Sequence, residues 1–348
     1  MRFAAFGRTR ILYDSIKALV SAGHVPRVVG TCRASPESEI KEADFARLAA
    51  EFGTDFFDCA AINSDDIVDK LARARAEVAV SVNWLTVVKE RVCSLFPHGV
   101  LNCHAGDLPR YRGNAPYAYA ILQNEPYMGL CIHKMEPGVL DSGAIIVRRQ
   151  VPITESTYVG DLINDCGRLA PQMFCEALRG LETGDIIPKP QPADPSLTLR
   201  CYPRRPEDGL IDWSLPADAI CRLVRASSTP FAGAYTFFEG KPVVIWSARA
   251  EASQCSYLGV PGQVVERRIS GEVLVLTSQG FVVVERMTDA NGRPIVPTDV
   301  VKSLRQRFGM NPAVVCQDLL SRVRQLEEAQ SCLFTRRIPS NNEGEKTI

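Results

Sequence analysis

The sequence predicts a mixed α/β fold: a mostly parallel, Rossmann-like sheet with helices on both faces, then a small β-rich, OB-like barrel domain and a C-terminal helix. Three observations indicate it. Strand-like and helix-like segments alternate through the first half, a proline-rich stretch follows, and short apolar runs separated by turns come last. A chain of 348 residues is also longer than a typical single domain, so we expect two domains.

The alternation is clearest before the proline-rich stretch. Short apolar runs predict strands, and apolar residues at helical spacing predict the helices that cover the sheet. The predicted strands are residues 2–6, 25–31, 77–82, 100–103, 129–134 and 144–150. The predicted helices are residues 11–20, 44–50, a segment capped by Ser64 or Asp65, and 159–178. Together these segments form one α/β unit.

Residues 187–195 are dense in proline, which favours an extended chain and cannot continue a helix. We therefore expect a catalytic domain at 1–187 and a linker at 188–200. A β-rich domain should occupy 201–312, and a C-terminal helix with a flexible tail should occupy 313–348. The strands predicted for the barrel are residues 243–248, 262–266, 273–277 and 281–287.

Composition narrows the class of protein. Lys and Arg together number 40, as do Asp and Glu, so no overall positive charge is available to attract nucleic acid. No apolar run approaches the ~18 to 20 residues that a membrane span needs, and the first residues turn polar too soon for a secretion signal. The 12 cysteines form no Cys-x-x-Cys pair. We expect a cytoplasmic protein without a metal site and without a membrane or nucleic-acid partner.

Candidate chemistry lies at the end of the strand at 100–103. Asn102 and His104 are two residues apart, so their side chains point to the same side of the strand. The carboxyl ends of strands in open α/β sheets form the ligand crevice. An amide and an imidazole suit acyl transfer, since the amide can donate to an oxyanion and the imidazole can accept a proton near neutrality.

Asp141 is the candidate for a third member. It lies between Gly138 and Gly143, which allow a tight turn that presents the carboxylate. A carboxylate beside an imidazole raises its pKa and fixes its orientation. Taken singly, the three residues also fit ordinary roles as a turn former, a surface histidine and a helix cap, and spacing alone does not bring Asp141 to His104.

A set of motifs makes the assignment more specific. Asn-x-His at 102–104 is followed by Leu-Pro-x-Tyr-Arg-Gly at 108–113, His-x-Met at 133–135 and Asp-Ser-Gly at 141–143. This order resembles the folate-dependent formyltransferases, which include methionyl-tRNA, glycinamide ribonucleotide and nucleotide-sugar formyltransferases. Residues 205–213, 223–226, 230 and 233–234 are similar to the formyltransferase domain of the enzyme that modifies UDP-4-amino-4-deoxy-arabinose. The resemblance covers roughly the first 290 residues.

The resemblance implies that Asn102, His104 and Asp141 are catalytic and that 10-formyltetrahydrofolate is the one-carbon donor. In the family the folate binds beside the strand before Asn-x-His, largely through backbone groups. The implied cofactor-binding residues are Thr86, Val87, Val88, Asn114, Glu136, Gly138 and Leu140. Two departures stand out: Leu140 is an extra residue before Asp141, and residues 105–107 read Ala-Gly-Asp where larger relatives often have Gly-Ser-Leu.

Three acceptor amines compete. Family members that act on tRNA carry a basic loop after the second strand, whereas residues 33–40 are short and acidic here and would repel a phosphate backbone. Glycinamide ribonucleotide enzymes have a single domain. A nucleotide-linked amino sugar remains, used for a surface polysaccharide such as the O-antigen of lipopolysaccharide. The residues available to meet its diphosphate are Gly7, Arg8, Thr9, Arg10 and Arg205.

Several alternatives stay open at this stage. The chain could be a methionyl-tRNA formyltransferase, a 10-formyltetrahydrofolate hydrolase in which water replaces the amine, or a binder of folate or nucleotide sugar without catalysis. A homodimer is possible. The nucleotide, the sugar and the position of its amine depend on a pocket built by several loops.

Overall fold

The computed structural model describes residues 1–34, 38–252, 257–310 and 312–335. Contacts between Cα atoms group the chain into two compact units. The first unit comprises Met1–Leu210, Asp218–Ala234 and Trp246–Arg249. The second comprises Ile211–Ala217, Tyr235–Ile245 and the described residues from Ala250 onward. The expected flexible tail at 340–348 lies outside the described residues.

The first unit alternates strands and helices along the chain. Its strands are β1 (Arg2–Gly7), β2 (Val25–Thr31), β3 (Asp55–Asp58), β4 (Val78–Val82), β5 (Val100–Ala105), β6 (Arg112–Gly113), β7 (Tyr127–Lys134), β8 (Ile145–Pro152) and β9 (Arg200–Cys201). Its helices are α1 (Arg10–Ser21), α2 (Glu42–Glu51), α3 (Asp65–Ala74), α4 (Glu90–Cys93), α5 (Pro116–Leu122) and α6 (Val159–Thr183). Two 3-10 turns follow, Pro195–Leu197 and Pro206–Gly209, and then α7 (Ala217–Ser227), whose first residue belongs to the second unit.

Seven strands form the main sheet, in the order β3-β2-β1-β4-β5-β7-β8. The first five in this order are parallel, and β7 and β8 add to the edge as antiparallel strands. Side chains alternate between two buried layers, as the two-residue period of a strand requires. Phe3 and Ala5 enter one layer, and Ala4 and Phe6 enter the other. Apolar groups are thus removed from water on both faces of the sheet.

The second unit is built around an antiparallel sheet. The strands of this sheet are β10 (Ala234–Phe238), β11 (Lys241–Glu251), β12 (Val264–Arg267), β13 (Val273–Leu276), β14 (Phe281–Asp289) and β15 (Pro294–Ile295), although Ala234 and Trp246–Arg249 group with the first unit. Helices α8 (Pro297–Val300) and α9 (Pro312–Thr335) follow. The order is β10-β11-β14-β13-β12, with β15 on β14. Isolated bridges join Arg307 to Gln263 and Phe308 to Phe238, so the sheet curls toward a barrel.

The predicted fold class is confirmed: a parallel-dominated Rossmann-like sheet with helices, then an antiparallel β domain and a helix. Sequence patterns missed several elements, among them β3, α5, α7 and β10. The strands β3 and β10 and the helix α5 have only four to seven residues and carry little periodic signal. Helix α7 has eleven residues with Ile220, Leu223 and Val224 at helical spacing, so its pattern was present in the sequence and was overlooked. The predicted domain limits stay a prediction, although residues 218–234 group with the first unit.

Candidate active site

Strand β5 sets the positions of Asn102 and His104. Val100 enters the layer packed by α3 and α4, so the alternation of β5 turns Asn102 and His104 to that same face. Leu101 and Cys103 enter the opposite layer. Both polar side chains are buried and lie where the sheet changes from parallel to antiparallel pairing. The sequence prediction that they share one side of the strand agrees with this arrangement.

Asp141 reaches the same place through the turn between β7 and β8. Its φ of +51° is in the left-handed region, which Asp tolerates better than most residues. Two residues later, a Cβ added to Gly143 would lie 1.9 Å from the carbonyl oxygen of Lys134. Only glycine lets the backbone pass that close, so the turn folds back onto β7 and carries the carboxylate over the sheet.

The structure brings the three predicted catalytic side chains together. Asp141 Oδ2 lies 3.6 Å from His104 Nδ1, and Asp141 Oδ1 accepts from Asn102 Nδ2 at 3.5 Å. Asp141 Oδ2 also accepts the backbone N–H of Gly113 at 2.9 Å. A carboxylate, an amide and an imidazole are therefore held in one buried cluster, which we call the catalytic cluster.

His133 is a fourth polar member, which sequence reasoning did not assign to the site. It lies opposite Asn102 in the β5–β7 pairing and is only 1% exposed. His133 Nδ1 lies 2.9 Å from the carbonyl oxygen of Lys134, which can only accept, so Nδ1 donates to it. His133 Nε2 lies 3.2 Å from Asn102 Nδ2 and 3.5 Å from Asp141 Oδ1. The His133 ring therefore contacts both the amide and the carboxylate of the catalytic cluster. The His-x-Met motif contains His133. Its contact with Asn102, however, depends on the pairing of β7 with β5, which joins residues 31 positions apart in the sequence.

The tautomer of His104 follows from a backbone contact. His104 Nε2 lies 2.7 Å from the carbonyl oxygen of Tyr111, which can only accept, so Nε2 carries a proton. Nδ1 is then the only ring nitrogen able to take up another proton, and it faces Asp141. Tyr111 itself has a φ of +62°, a conformation that costs of order 1–3 kcal/mol in a bulky residue and recurs at functional sites.

Burial and neighbouring charges determine the pKa values of His104 and Asp141. Burial lowers the pKa of His104 below its ordinary value, against the attraction of Asp141, so the ring is neutral near pH 7. Burial alone would raise the pKa of Asp141, but His104, His133 and the Gly113 N–H stabilise the anion and bring it to about 2. The cluster thus contains a permanent carboxylate beside a neutral imidazole, which is the pairing that general-base chemistry uses.

The proline-rich segment, expected as a linker, is bonded to the catalytic cluster. Gln191 Nε2 donates to the carbonyls of Asp141 and Gly143 at 2.9 Å each, and Gln191 Oε1 accepts from Arg112 at 2.6 Å. Lys189 exchanges two backbone hydrogen bonds of 2.8 Å with Ile145. One side chain therefore connects the Asp141 turn to the Arg112 strand.

Replacing Gln191 by Leu should lower turnover roughly 5- to 50-fold, because the two hydrogen bonds that hold the Asp141 turn and the one that joins it to Arg112 are lost, and small misplacements of catalytic groups are costly. Steady-state kinetics well below the unfolding temperature would measure this. Gln123→Leu is the matched control, since Gln123 is exposed at the end of α5. Equal kcat values for wild type and Gln191→Leu would show that the segment does not position Asp141.

The predicted folate segment after β4 has an ordered backbone. The Asn63 side chain donates to the carbonyl of Val87 at 2.8 Å and accepts from Lys89 N–H at 2.9 Å. Thr86 Oγ1 donates to the carbonyl of Ala60 at 2.9 Å. Val88 is buried, whereas Val87 is 62% exposed. The segment therefore presents an apolar side chain on a fixed loop.

The other predicted folate residues belong to the Asp141 turn and to the segment before α5. Glu136 pairs with Val139 in an isolated bridge and accepts from Ser142 Oγ at 2.7 Å. Gly138 has a φ of +77°, and Leu140 is exposed. Asn114 is exposed, and its N–H bonds the carbonyl of Cys201. Glu136 also lines a cavity of about 650 Å³.

The predicted substrate residues fall into two separate places. Arg8 donates to the backbone carbonyls of Asn83 and Arg33, and Arg10 pairs with Asp14 at 2.9 Å, so both guanidinium groups are already engaged. A Cβ at Gly7 would lie 2.2 Å from the carbonyl of Val82, which gives this glycine a packing role. Thr9 precedes α1, and its buried hydroxyl has no hydrogen-bond partner among the described residues. Arg205 lies far along the chain and lines a different cavity.

Two properties of the described residues bear on partners. They contain no helix with the length and apolar character that a membrane span requires. Within the same residues, no group of three or more His, Cys, Asp or Glu side chains is arranged to hold a metal ion. The compartment and the oligomeric state stay predictions.

Solved structures share the fold at low sequence identity. HypX from Aquifex aeolicus in complex with tetrahydrofolic acid aligns with a TM-score of 0.57 and 17% identity over 86% of this chain. The alignment covers 47% of HypX, so this chain spans about half of its length. The N-formyltransferase from Helicobacter canadensis in complex with folinic acid and dTDP-3-aminofucose aligns with a TM-score of 0.60 and 15% identity, over 84% of this chain and 99% of that one.

Sequence comparison gives the family. Residues 1–178 match the formyl transferase model, and residues 204–305 match the model of the formyl transferase C-terminal domain. The methionyl-tRNA formyltransferase of Chloroflexus aurantiacus is 31% identical over 300 residues, which are 85% of this chain and 94% of that protein. The resemblance found in the sequence motifs is therefore confirmed at the level of the family. With both of its domains matched, the chain belongs to the formyl transferase family.

Proposed function

We propose that this folate-dependent formyltransferase moves a formyl group from 10-formyltetrahydrofolate to the amine of a nucleotide-linked amino sugar. The observation that supports formyl transfer most directly is the convergence of Asn102, His104 and Asp141 in one buried cluster. Each group matches a need of the reaction: a donor for negative charge, a proton acceptor, and a carboxylate that stabilises the protonated ring.

The residues around the catalytic cluster fit a folate. Exposed apolar side chains occur on both predicted folate segments: Leu85 and Val87 after β4, and Val139 and Leu140 on the Asp141 turn. When bound, the folate supplies the formyl group.

His104 acts as the proton acceptor through Nδ1. The Tyr111 carbonyl holds the proton on Nε2, so the proton that leaves the attacking amine goes to Nδ1. Asp141, 3.6 Å away, then stabilises the imidazolium. In this mechanism Tyr111 fixes the tautomer, and Asp141 contributes its charge.

Asn102 supplies a hydrogen bond to the formyl oxygen. Its shorter contact, 3.2 Å to His133, orients the amide, whereas the 3.5 Å contact to Asp141 is long. The second N–H is therefore the one that donates to the negative charge that develops on that oxygen. Removing one such donor typically costs ~100-fold or more in turnover.

The pH dependence of activity follows from the lowered pKa of His104. Only the neutral ring accepts a proton, so kcat/KM should fall as the pH decreases through the pKa of His104, at a midpoint below about 6.5, the ordinary value for His. Asp141, with a pKa of about 2, stays ionised between pH 5 and 9, so its titration does not change kcat/KM in that range. A pH–rate profile measures this, and an acidic limb at or above pH 7 would contradict it.

The same shift affects stability in the same direction. The pKa of His104 is lower in the folded protein than in the unfolded chain. Its neutral form therefore contributes to folding stability above the unfolded value of about 6.5, and this stabilisation is lost as the pH falls through the folded value.

An amino-sugar acceptor is supported by the charge of the connection after β2. Between Thr31 and Glu42, residues 33–40 include one arginine and two glutamates, part of which lies outside the described residues. Such a connection offers no positive surface to a phosphate backbone, and the whole chain has no net charge. Sugar N-formyltransferases are also among the solved structures that share this fold.

Methionyl-tRNA is the second candidate acceptor. The 31% identity to a methionyl-tRNA formyltransferase over 94% of that protein favours it. The two candidates are separated by an assay of purified protein with 10-formyltetrahydrofolate and either initiator Met-tRNA or a panel of UDP-, GDP- and dTDP-amino sugars. Formylation of an amino sugar is expected, and formylation of Met-tRNA alone would reject the proposal. Formate release without any amine would indicate the hydrolase instead.

A further inference from the structure

A second cavity lies in the first unit, built by residues that the catalytic mechanism does not use. Its volume is about 170 Å³, and it is bordered by the residue before α5, the turn Pro206–Gly209, α7 and the loop that follows α7. This volume is below the 300–1,000 Å³ of whole-ligand sites, so the cavity suits a part of a larger ligand and not the whole of it. We call it the Arg205 cavity.

Two adjacent arginines make one side of the Arg205 cavity cationic. Arg204 Nη2 donates to the carbonyl of Asp208 at 2.8 Å and to Ser227 Oγ at 3.2 Å, which holds its guanidinium in place. Among the described residues no side chain forms an ion pair or hydrogen bond with the Arg205 guanidinium. A fixed and a free guanidinium side by side are suited to bidentate binding of phosphate oxygens.

The remaining walls suit a flat ring. Phe231 is 41% exposed at the cavity, and an exposed aromatic face can stack on a nucleobase. The floor consists of small residues, among them Ala115, Ala118, Ala226 and Gly233, which leave room for a planar group beside the aromatic ring. The cavity is thus lined by two guanidinium groups, one aromatic ring and several small residues.

The Arg205 cavity begins close to the catalytic cluster. Gly113, whose N–H binds Asp141, is two residues before Ala115, so their Cα atoms are at most about 7 Å apart. The cavity therefore adjoins the segment that binds the catalytic carboxylate, as a ligand with its diphosphate in the cavity and its amine at the cluster requires. The ligand that combines these features carries a base, a diphosphate and a sugar in that order.

We propose that the Arg205 cavity binds the nucleoside diphosphate part of the acceptor, with Arg204 and Arg205 on the phosphates and Phe231 stacked on the base. This inference rests on the proposed amino-sugar acceptor and extends it. The predicted role of Arg205 in substrate binding thereby gains two partners that the sequence analysis did not name.

Titration calorimetry of the full-length protein with UDP, dTDP, GDP and inorganic pyrophosphate tests the proposal. Phe231→Ala should weaken the best-bound nucleotide about 5- to 100-fold and leave pyrophosphate unchanged, because only the base stacks. Arg205→Gln should weaken both nucleotide and pyrophosphate at least about tenfold, because a charge-assisted hydrogen bond is lost. Circular dichroism and folate affinity, expected to match those of wild type, show that the variants are folded.

Matched controls are Arg168→Gln, an exposed arginine on α6, and Tyr202→Ala, an aromatic residue that is 66% exposed and does not line the cavity. Both should bind as wild type does. Wild-type affinity in Phe231→Ala and Arg205→Gln, or no binding of any nucleotide to the wild type at millimolar concentration, would overturn the proposal.

The formylation assay separates this proposal from the proposed function. Formylated amino sugars combined with unaltered nucleotide binding in the two variants would overturn the Arg205 cavity alone. Conversely, nucleotide binding that responds as expected, with only Met-tRNA formylated, would overturn the amino-sugar acceptor and support the cavity as a nucleotide site.

Discussion

His104→Ala should reduce turnover ~100-fold or more while the protein stays folded, because the change removes the only ring nitrogen positioned to accept the amine proton. The expected loss is in kcat, since no substrate contact is assigned to the ring before proton transfer. Single-turnover and steady-state kinetics with a saturating acceptor would measure it. Added imidazole should restore part of the activity, which a purely structural loss would not allow.

His98→Ala is the matched control for this experiment. His98 precedes β5 in the same segment of the chain and lies outside the catalytic cluster, so its replacement should leave kcat close to that of wild type. Near-normal turnover in folded His104→Ala would refute general-base catalysis by this residue.

Asp141→Asn should also lower turnover ~100-fold or more, for a different reason. The substitution keeps the size of the side chain and an oxygen that can accept from Gly113, but it removes the charge that stabilises the imidazolium. Loss of the carboxylate also removes an interaction that raises the pKa of His104. The acidic limb of the pH–rate profile should therefore move to lower pH than in the wild type.

The direction in which the acidic limb of the pH–rate profile moves decides whether Asp141 acts through its charge. A neighbouring carboxylate that only braced the turn would change kcat without moving the limb. Asp165→Asn, on the exposed side of α6, is the control and should leave both the limb and kcat unchanged. A limb that stays in place, or that moves to higher pH, would contradict an electrostatic role of Asp141.

The acceptor proposal depends on two lines of observation that point in different directions. Sequence identity favours methionyl-tRNA, whereas the short acidic connection after β2 favours a nucleotide sugar. Relatives at 31% identity share a family, but the acceptor is selected by loops and cavities outside the catalytic cluster. The acceptor assay therefore decides the question, independently of the variants of His104 and Asp141.

The sequence by itself determined much of the fold. Short apolar runs predicted the main strands, and the spacing within β5 put Asn102 and His104 on one face, because side-chain direction in a strand is a local property. The motifs also indicated the family, because the residues of each motif are contiguous or nearly contiguous in the sequence. Short elements such as β3 and α5 escaped because a few residues carry too little periodic signal.

Only the tertiary structure decided how the catalytic cluster closes. The approach of Asp141 to His104 requires a turn to fold back across the sheet, and the place of His133 requires the register between β5 and β7. The proton on His104 Nε2 is set by the backbone carbonyl of Tyr111, which no side-chain pattern encodes. Likewise, the proline-rich segment was expected to be a linker, but its Gln191 side chain holds the Asp141 turn by two hydrogen bonds. These are contacts between residues distant in sequence, and their geometry is fixed by packing and register rather than by local preference.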